Sequence, residues 1–271
     1  MPKRRLDLLM VESGLAESRS MAQRLVMAGR VRVDGEVALK PATTINPNAR
    51  VEIEHGPRFV SRGGEKLAAA LLSFQIEVNG LVCADIGAST GGFTDCLLKN
   101  GAARVYSIDV GKGILHWKLR QDQRVVVMEG TNARYIEHLP EKVDLVTVDA
   151  SFISLKTLLP TIKSWFSYSN KSGGKTSIIA LIKPQFEAGK DQASKGKGVI
   201  RDPTIHRQVL LEVLGFAQQQ GFALRGLIRS PLMGPKGNVE FLTWLTIQKA
   251  NSNSSELENL EELIRENLNP T

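Results

Sequence analysis

Cysteine and histidine are scarce in this 271-residue chain, and that scarcity removes several chemistries. Cys83 and Cys96 lack the spacing of a metal-ligand pair, and His55, His116, His138 and His206 are scattered, so no metal site is expected. Cys83 lies in an apolar run and reads as a reduced, buried thiol. Long hydrophobic runs are missing too. None approaches the roughly 20 residues that cross a bilayer, and the basic start MPKRRLDLLM lacks the apolar segment and cleavage site of a secretion signal. A cytoplasmic protein without stable membrane insertion is the expectation.

What is present is a soluble composition, 42% hydrophobic and 23% charged, with a net charge of +7. The charge is uneven. Residues 1–60 carry 10 basic and 7 acidic side chains, residues 61–250 carry 24 and 16, and the last 21 carry 1 and 5. A basic body suits a polyanionic partner, and the acidic end reads as a solvated tail.

The first 55 residues read as a small α+β module. A short helix over 5–13 stops at Gly14, and Ser18 stands where a second helix needs its N-cap. Met21, Leu25 and Ala28 then recur at helical spacing, followed by a strand, the turn dipeptide Asp34-Gly35, and a second extended piece at 50–54. The exposed charges on the second helix and after it are almost all positive: Arg19, Arg24, Arg30 and Arg32. This stretch resembles the S4 RNA-binding domain in SRSMAQRLVMAGRVRVDGEV, residues 18–37. The resemblance implies an RNA-facing surface that includes Arg5 as well as those four.

After a linker at 56–62, an α/β rhythm occupies residues 63–250. Strands are expected at 81–86, 104–109, 124–128, 143–148, 177–183, 222–228 and 239–247, with helical segments between most of them. The last two adjoin without an obvious crossover helix, so a mostly parallel, Rossmann-like sheet with an antiparallel end is expected. Residues 251–271 form a polar linker and a short acidic helix.

The string CADIGASTGGFTDCLLKNGAARVYSIDV, residues 83–110, carries the cofactor reading. A strand ends at Asp85, a turn follows with Gly87, Ser89, Thr90, Gly91 and Gly92, and the next strand ends on Asp109. An acid there can accept hydrogen bonds from both ribose hydroxyls of an adenosine. The G-x-G-x-x-G fingerprint of dinucleotide sites is absent, so a nucleoside without a pyrophosphate fits better. Asp85 would repel phosphate and suit the ammonium of a methionine moiety, which points to S-adenosylmethionine. Glu129 and Asn132, after the third strand, are expected against the adenine. Gly173-Gly174-Lys175-Thr176 looks like part of a phosphate loop, but Ser169 stands where a glycine should, and a strand follows.

Four charged residues sit where a core would not ask for them. Asp149 and Lys183 close apolar strands at their carboxyl ends, Glu240 is embedded in VEFLTWL, and Lys66 lies at the start of a helix. Ligands of open α/β sheets bind at the carboxyl ends of strands. The strings SRGGEKL, DIGASTGGFTD, VDASFISL, LIKPQFEAGK and GPKGNVEF resemble the TlyA (hemolysin A-like) family, whose catalytic half is related to FtsJ-type ribose 2′-O-methyltransferases. With the S4 segment, the resemblance covers residues 4–248. It implies a Lys-Asp-Lys-Glu tetrad at Lys66, Asp149, Lys183 and Glu240, S-adenosylmethionine as cofactor, and methylation of a cytidine 2′-hydroxyl in ribosomal RNA. A full-length S4 module implies action on both ribosomal subunits.

The chemistry fits independently, because a 2′-hydroxyl is a weak nucleophile that needs a base and in-line geometry. Lys183 is the candidate base. Desolvation and a nearby Lys66 ammonium would favour its neutral form, whereas Asp149 and Glu240 would favour the ammonium. In the second case Lys183 would orient the hydroxyl and stabilise oxyanion charge instead. Lys190, Lys195, Lys197 and Arg201, in the glycine-bearing loop 187–201, are expected to clasp RNA. Three other readings stand beside this one: a pseudouridine synthase, for which Arg5-Leu6-Asp7 has the letters but not the context; a membrane-active cytolysin; and a non-catalytic S4-type RNA-binding protein.

Overall fold

The computed structural model describes residues 2–54, 56–166, 176–189, 198–247 and 256–268. Contacts divide the chain into two units, residues 1–58 and 59–271.

The first unit has β1 (Arg4–Arg5), α1 (Leu6–Glu12), α2 (Arg19–Met27), β2 (Val31–Val33), β3 (Glu36–Val37), β4 (Thr44–Ile45) and β5 (Val51–Ile53). Ser18 caps α2 by accepting from the Met21 amide at 3.3 Å. Asp34 and Gly35 both adopt positive φ, 50° and 87°, the conformation a two-residue hairpin turn needs between β2 and β3. β5 pairs on the other side of β2, and Leu6, Met10, Ala22, Val26 and Val31 form the core beneath. The pairing of β1 with β4 was not expected; two residues are too short to show a strand period.

The second unit is built on a seven-stranded sheet. Its elements are α3 (Gly63–Phe74), β6 (Val82–Ile86), α4 (Gly92–Lys99), β7 (Arg104–Asp109), α5 (Trp117–Arg120), β8 (Val125–Glu129), β9 (Leu145–Val148), α6 (Leu155–Lys163), β10 (Ser177–Ile182), α7 (Pro184–Glu187), α8 (Pro203–Gln219), β11 (Phe222–Arg229), β12 (Phe241–Ile247) and α9 (Glu256–Leu268). The strand order is β11-β12-β10-β9-β6-β7-β8. From β10 to β8 all pairs are parallel, and β12 runs antiparallel to both of its neighbours. The central strands are apolar on both faces because helices cover both. On one face Leu67, Leu71, Phe93 and Leu97 of α3 and α4 meet Cys83 and Val105; on the other, α6 and α8 meet Val146, Ile178 and Ile182.

Phe59 is buried in this second unit, and the Val60 amide donates to Asp95 at 2.9 Å. The acidic end corrects an expectation. Leu260 and Ile264, four residues apart on α9, are buried in the same core as α8 and β11, so one stripe of the helix is core rather than solvated tail.

Candidate functional site

Parallel strands deliver their carboxyl ends to one edge of the sheet, and the turn 87–91 opens there after β6. Gly87 has φ 78°, and a Cβ on it would lie 2.6 Å from the Asp149 carbonyl oxygen; only glycine lets the turn lie against the end of β9. Gly91, at φ 96°, would drive a Cβ to 2.1 Å from a Leu119 methyl. Ser89 and Thr90 remain exposed at the tip of the turn. Asp109, at the end of β7, accepts from the Ser89 amide and the Gly111 amide, each at 2.8 Å. Its carboxylate is thus locked beside the turn.

A cavity of about 630 Å³ adjoins the turn, within the roughly 300–1,000 Å³ range of small-molecule sites. Gly87, Ser89 and Thr90 line it, together with Lys66, Asp149, Lys183 and Glu240. The four charges form two separate ion pairs. Lys66 Nζ lies 2.6 Å from Glu240 Oε2, and Lys183 Nζ lies 2.6 Å from Asp149 Oδ1. Lys183 also donates to Ser151 Oγ at 3.0 Å. Lys66, Lys183 and Glu240 are all buried. Charges that deep persist only when paired, so each ammonium requires its carboxylate. Phe152 stands at the rim, 90% exposed with φ 63°, and its ring is tilted against Phe186 at 4.8 Å.

A family profile described as FtsJ-like methyltransferase matches residues 59–247, and an S4-domain profile matches residues 4–51. The chain is 46% identical over 248 residues to the 16S/23S rRNA (cytidine-2′-O)-methyltransferase TlyA of Mycobacterium tuberculosis, covering 90% of each. The chain belongs to the TlyA family. It is also 42% identical to a Brachyspira hyodysenteriae protein named hemolysin A, covering 90% of this chain and all of that one. A solved hemolysin-named structure from Streptococcus thermophilus matches 98% of the chain and 96% of its own, at 41% identity and a TM-score of 0.70. An S-adenosylmethionine-dependent methyltransferase from Listeria monocytogenes shares 16% identity at a TM-score of 0.52, which shows the Rossmann-like methyltransferase fold alone.

Within this TlyA-family chain, several residues lie other than expected. Asp85 does not reach the cavity. It is fully buried, accepting from Thr94 Oγ1 at 2.7 Å and Thr147 Oγ1 at 3.0 Å, while Thr94 also bonds Ser107 at 2.8 Å. Burial pushes its carboxyl up to about 7 against those hydroxyl bonds, with the Asp149 charge a smaller push in the same direction. Glu129 is occupied as well. It accepts from the amides of Gly113, Ile114 and Leu115 and pairs with Arg120, which together hold its carboxyl down to about 2, Arg120 contributing most. It therefore shapes the loop after β7 instead of offering itself to a base. Asn132 is exposed, and its Oδ1 accepts from the Arg134 amide at 3.0 Å.

In the first unit, Asp7 gathers Arg5, Arg19 and Gln23 at 3.0 Å each. Its carboxyl is held well below the usual range, by Arg5 above all. Arg30 donates to the Glu54 carbonyl and Arg32 pairs with the Glu54 carboxylate, whereas Arg24 is exposed and meets the Met21 thioether. Arg201 is exposed; Lys190, Lys195, Lys197 and the segment 173–175 lie outside the described residues.

Ser151, Phe152 and Gln185 went unread in the sequence. A serine or a phenylalanine in SFISL, and a glutamine after Lys-Pro, carry no periodic or charge signal. Among the described residues, no helix is long and apolar enough to cross a membrane, and no group of three or more His, Cys, Asp or Glu side chains could hold a metal ion.

Proposed function

We propose that this protein transfers a methyl group from S-adenosylmethionine to the 2′-hydroxyl of a cytidine in ribosomal RNA. The observation that carries the reading is the pair of buried ammonium–carboxylate contacts facing one cavity beside the glycine turn. When bound, the cofactor supplies an electrophilic sulfonium methyl. Gly87, Ser89, Thr90 and Gly92, which line the cavity, would hold it with Gly91 and with Asp109, which lies beside the turn on the Ser89 amide, since an acid at that strand end suits ribose hydroxyls and the cavity is of fitting size.

Lys183 faces the reacting hydroxyl. With a carboxylate at 2.6 Å and a hydroxyl at 3.0 Å, it acts here as an ammonium that donates to the 2′-oxygen and offsets its growing negative charge. Asp149, its partner, takes the hydroxyl proton. Lys66 and Glu240 hold each other in place as a second, mutually neutralising pair on the cavity lining. Residues 1–55 supply the RNA-binding surface through Arg24, Arg30 and Arg32, with Arg5 and Arg19 showing their free edges beside Asp7. Residues 63–250 carry out the chemistry, joined to the first module through 56–62, and the exposed Phe152 ring offers a face on which a displaced base stacks. A cytoplasmic location follows from ribosomal RNA as substrate.

The test is to map ribose methylation on ribosomal RNA from cells with and without this protein, and to repeat it with purified subunits and S-adenosylmethionine. A cytidine 2′-O-methyl that appears only with the protein is the expected result; methylation of a base instead, or of no position, refutes the reading.

A further inference from the structure

Among the described residues, one buried side-chain polar atom has no hydrogen-bond partner, and it is Oε1 of Gln185. Gln185 lies on α7, two residues past Lys183, is 8% exposed, and lines the cavity. Its amide cannot turn over. Glu240 receives Lys66 on Oε2 and Gln185 Nε2 on Oε1, the latter at 3.4 Å. Reversing the amide would set its oxygen against a carboxylate oxygen. Oε1 is therefore a fixed acceptor, already withdrawn from water, with no donor among the described residues and open to one that a ligand in the cavity brings.

Strand order tells which ligand. The turn follows β6 and Asp109 ends β7, whereas Gln185 follows β10 and Glu240 precedes β12. Four strand steps separate β7 from β12, about 19 Å at ~4.8 Å each. Oε1 thus belongs to the side of the cavity beyond Asp149 and Lys183, away from the adenosine end of the cofactor. Within an RNA chain the 3′ and 5′ oxygens are esterified. The donors left on a target nucleotide are the 2′-hydroxyl, which the Lys183–Asp149 pair engages, and groups on the base edge. Cytosine presents an N4 amine beside the N3 acceptor, and Gln185 presents Oε1 beside Nε2, which has a second hydrogen. Uracil presents the reverse pattern, O4 beside N3–H, and an amide that cannot flip cannot follow it.

We propose that Gln185 is a specificity-determining residue that reads the target cytosine, with Oε1 accepting from N4 and Glu240 fixing the orientation of the amide. The inference rests on the RNA 2′-O-methyltransferase reading above. It is tested with two substrates: unmethylated ribosomal subunits, and the same subunits with the mapped cytidine changed to uridine. The wild-type enzyme is expected to favour cytidine by roughly ten- to hundred-fold in kcat/KM. Gln185→Leu, close in shape and lacking the amide, is expected to lose that preference through slower reaction on cytidine, with S-adenosylhomocysteine affinity unchanged. A wild-type enzyme indifferent to the change overturns the proposal, whatever the variant does. So does a variant that keeps the preference, or one that slows equally on both substrates. No ribose methylation on either substrate by the wild-type enzyme refutes the underlying reading instead.

Discussion

The buried Asp85 predicts a pH dependence of stability that a single substitution should remove. Its carboxyl sits behind the cofactor turn with a pKa raised to about 7, against about 3.9 in an unfolded chain. The folded protein therefore holds this proton over a window in which the unfolded chain has released it. Stability must then fall as pH rises from about 4 through 7 and level off above. A displacement of roughly 3 pK units corresponds to roughly 4 kcal/mol across the window. Asp85→Asn imitates the protonated acid: its oxygen accepts from one threonine hydroxyl, and its NH₂ donates to the other, which rotates to accept. The variant should match the wild type near pH 4 and exceed it progressively toward pH 8. All three tryptophans, Trp117, Trp165 and Trp244, lie in residues 59–271, so urea unfolding followed by tryptophan fluorescence reports on this unit. Subtracting the two stability profiles cancels every other titrating group. A difference that stays flat between pH 4 and 8 refutes the argument that burial dominates at Asp85.

Lys183→Ala should leave S-adenosylhomocysteine binding near wild type while methyl transfer falls at least ~10²-fold in single-turnover assays; near-normal turnover on saturating substrate would remove Lys183 from the chemistry. Asp109→Ala should weaken S-adenosylhomocysteine at least ~tenfold by calorimetry, since hydrogen bonds to a charged acceptor contribute about 1.5–3 kcal/mol. Tight NAD binding without S-adenosylhomocysteine binding would contradict that assignment. Replacing Arg24 and Arg30 with alanine in the full chain should lower the log–log salt slope of RNA binding by roughly 0.7–0.9 for each phosphate contact removed. An unchanged slope places the RNA elsewhere, and Arg201 is then the first described residue to test.

The sheet was legible because its interior strands are buried on both faces and read as short apolar runs; the expected 104–109 is the observed β7, and the other strands differ by one or two residues at their ends. Lys66, Asp149, Lys183 and Glu240 stood out for the same reason, as charges interrupting runs that have no use for them. Depth along a strand was not legible. Asp85 and Asp109 look alike as acids ending strands, yet Asp85 pairs with Ser107, two positions short of Asp109 on the same face, so Thr94 of α4 and Thr147 close over it while Asp109 reaches the turn. Glu129 misled similarly, since three backbone amides from a loop 14 to 16 residues earlier fold back onto it. The acidic tail was read by its charge sum, and its two core residues, Leu260 and Ile264, were outvoted by the glutamates around them.

What no linear reading could supply is the partner of each lysine. The sequence offers two ammoniums and two carboxylates, and those four can pair in two ways with opposite consequences. Were Lys66 and Lys183 adjacent and sharing one carboxylate, their repulsion would drive a proton off one of them, and Lys183 could serve as a neutral base. The fold gives each its own carboxylate, joining Lys66 to Glu240 across 174 residues and Lys183 to Asp149 at the ends of adjacent parallel strands. Each buried ammonium then has its own counter-charge, so removing a proton from Lys183 would strand the Asp149 carboxylate beside an amine. On the function proposed above, the lysine polarises the 2′-oxygen and the acid beside it accepts the proton. Asp149→Asn therefore separates the two roles: it keeps a neutral side chain near Lys183 but removes the acceptor. If Asp149 takes the proton, the variant should lose methyl transfer as deeply as Lys183→Ala, with S-adenosylhomocysteine affinity retained. If instead Lys183 is the base, the carboxylate is not the proton acceptor, and methyl transfer should survive the substitution.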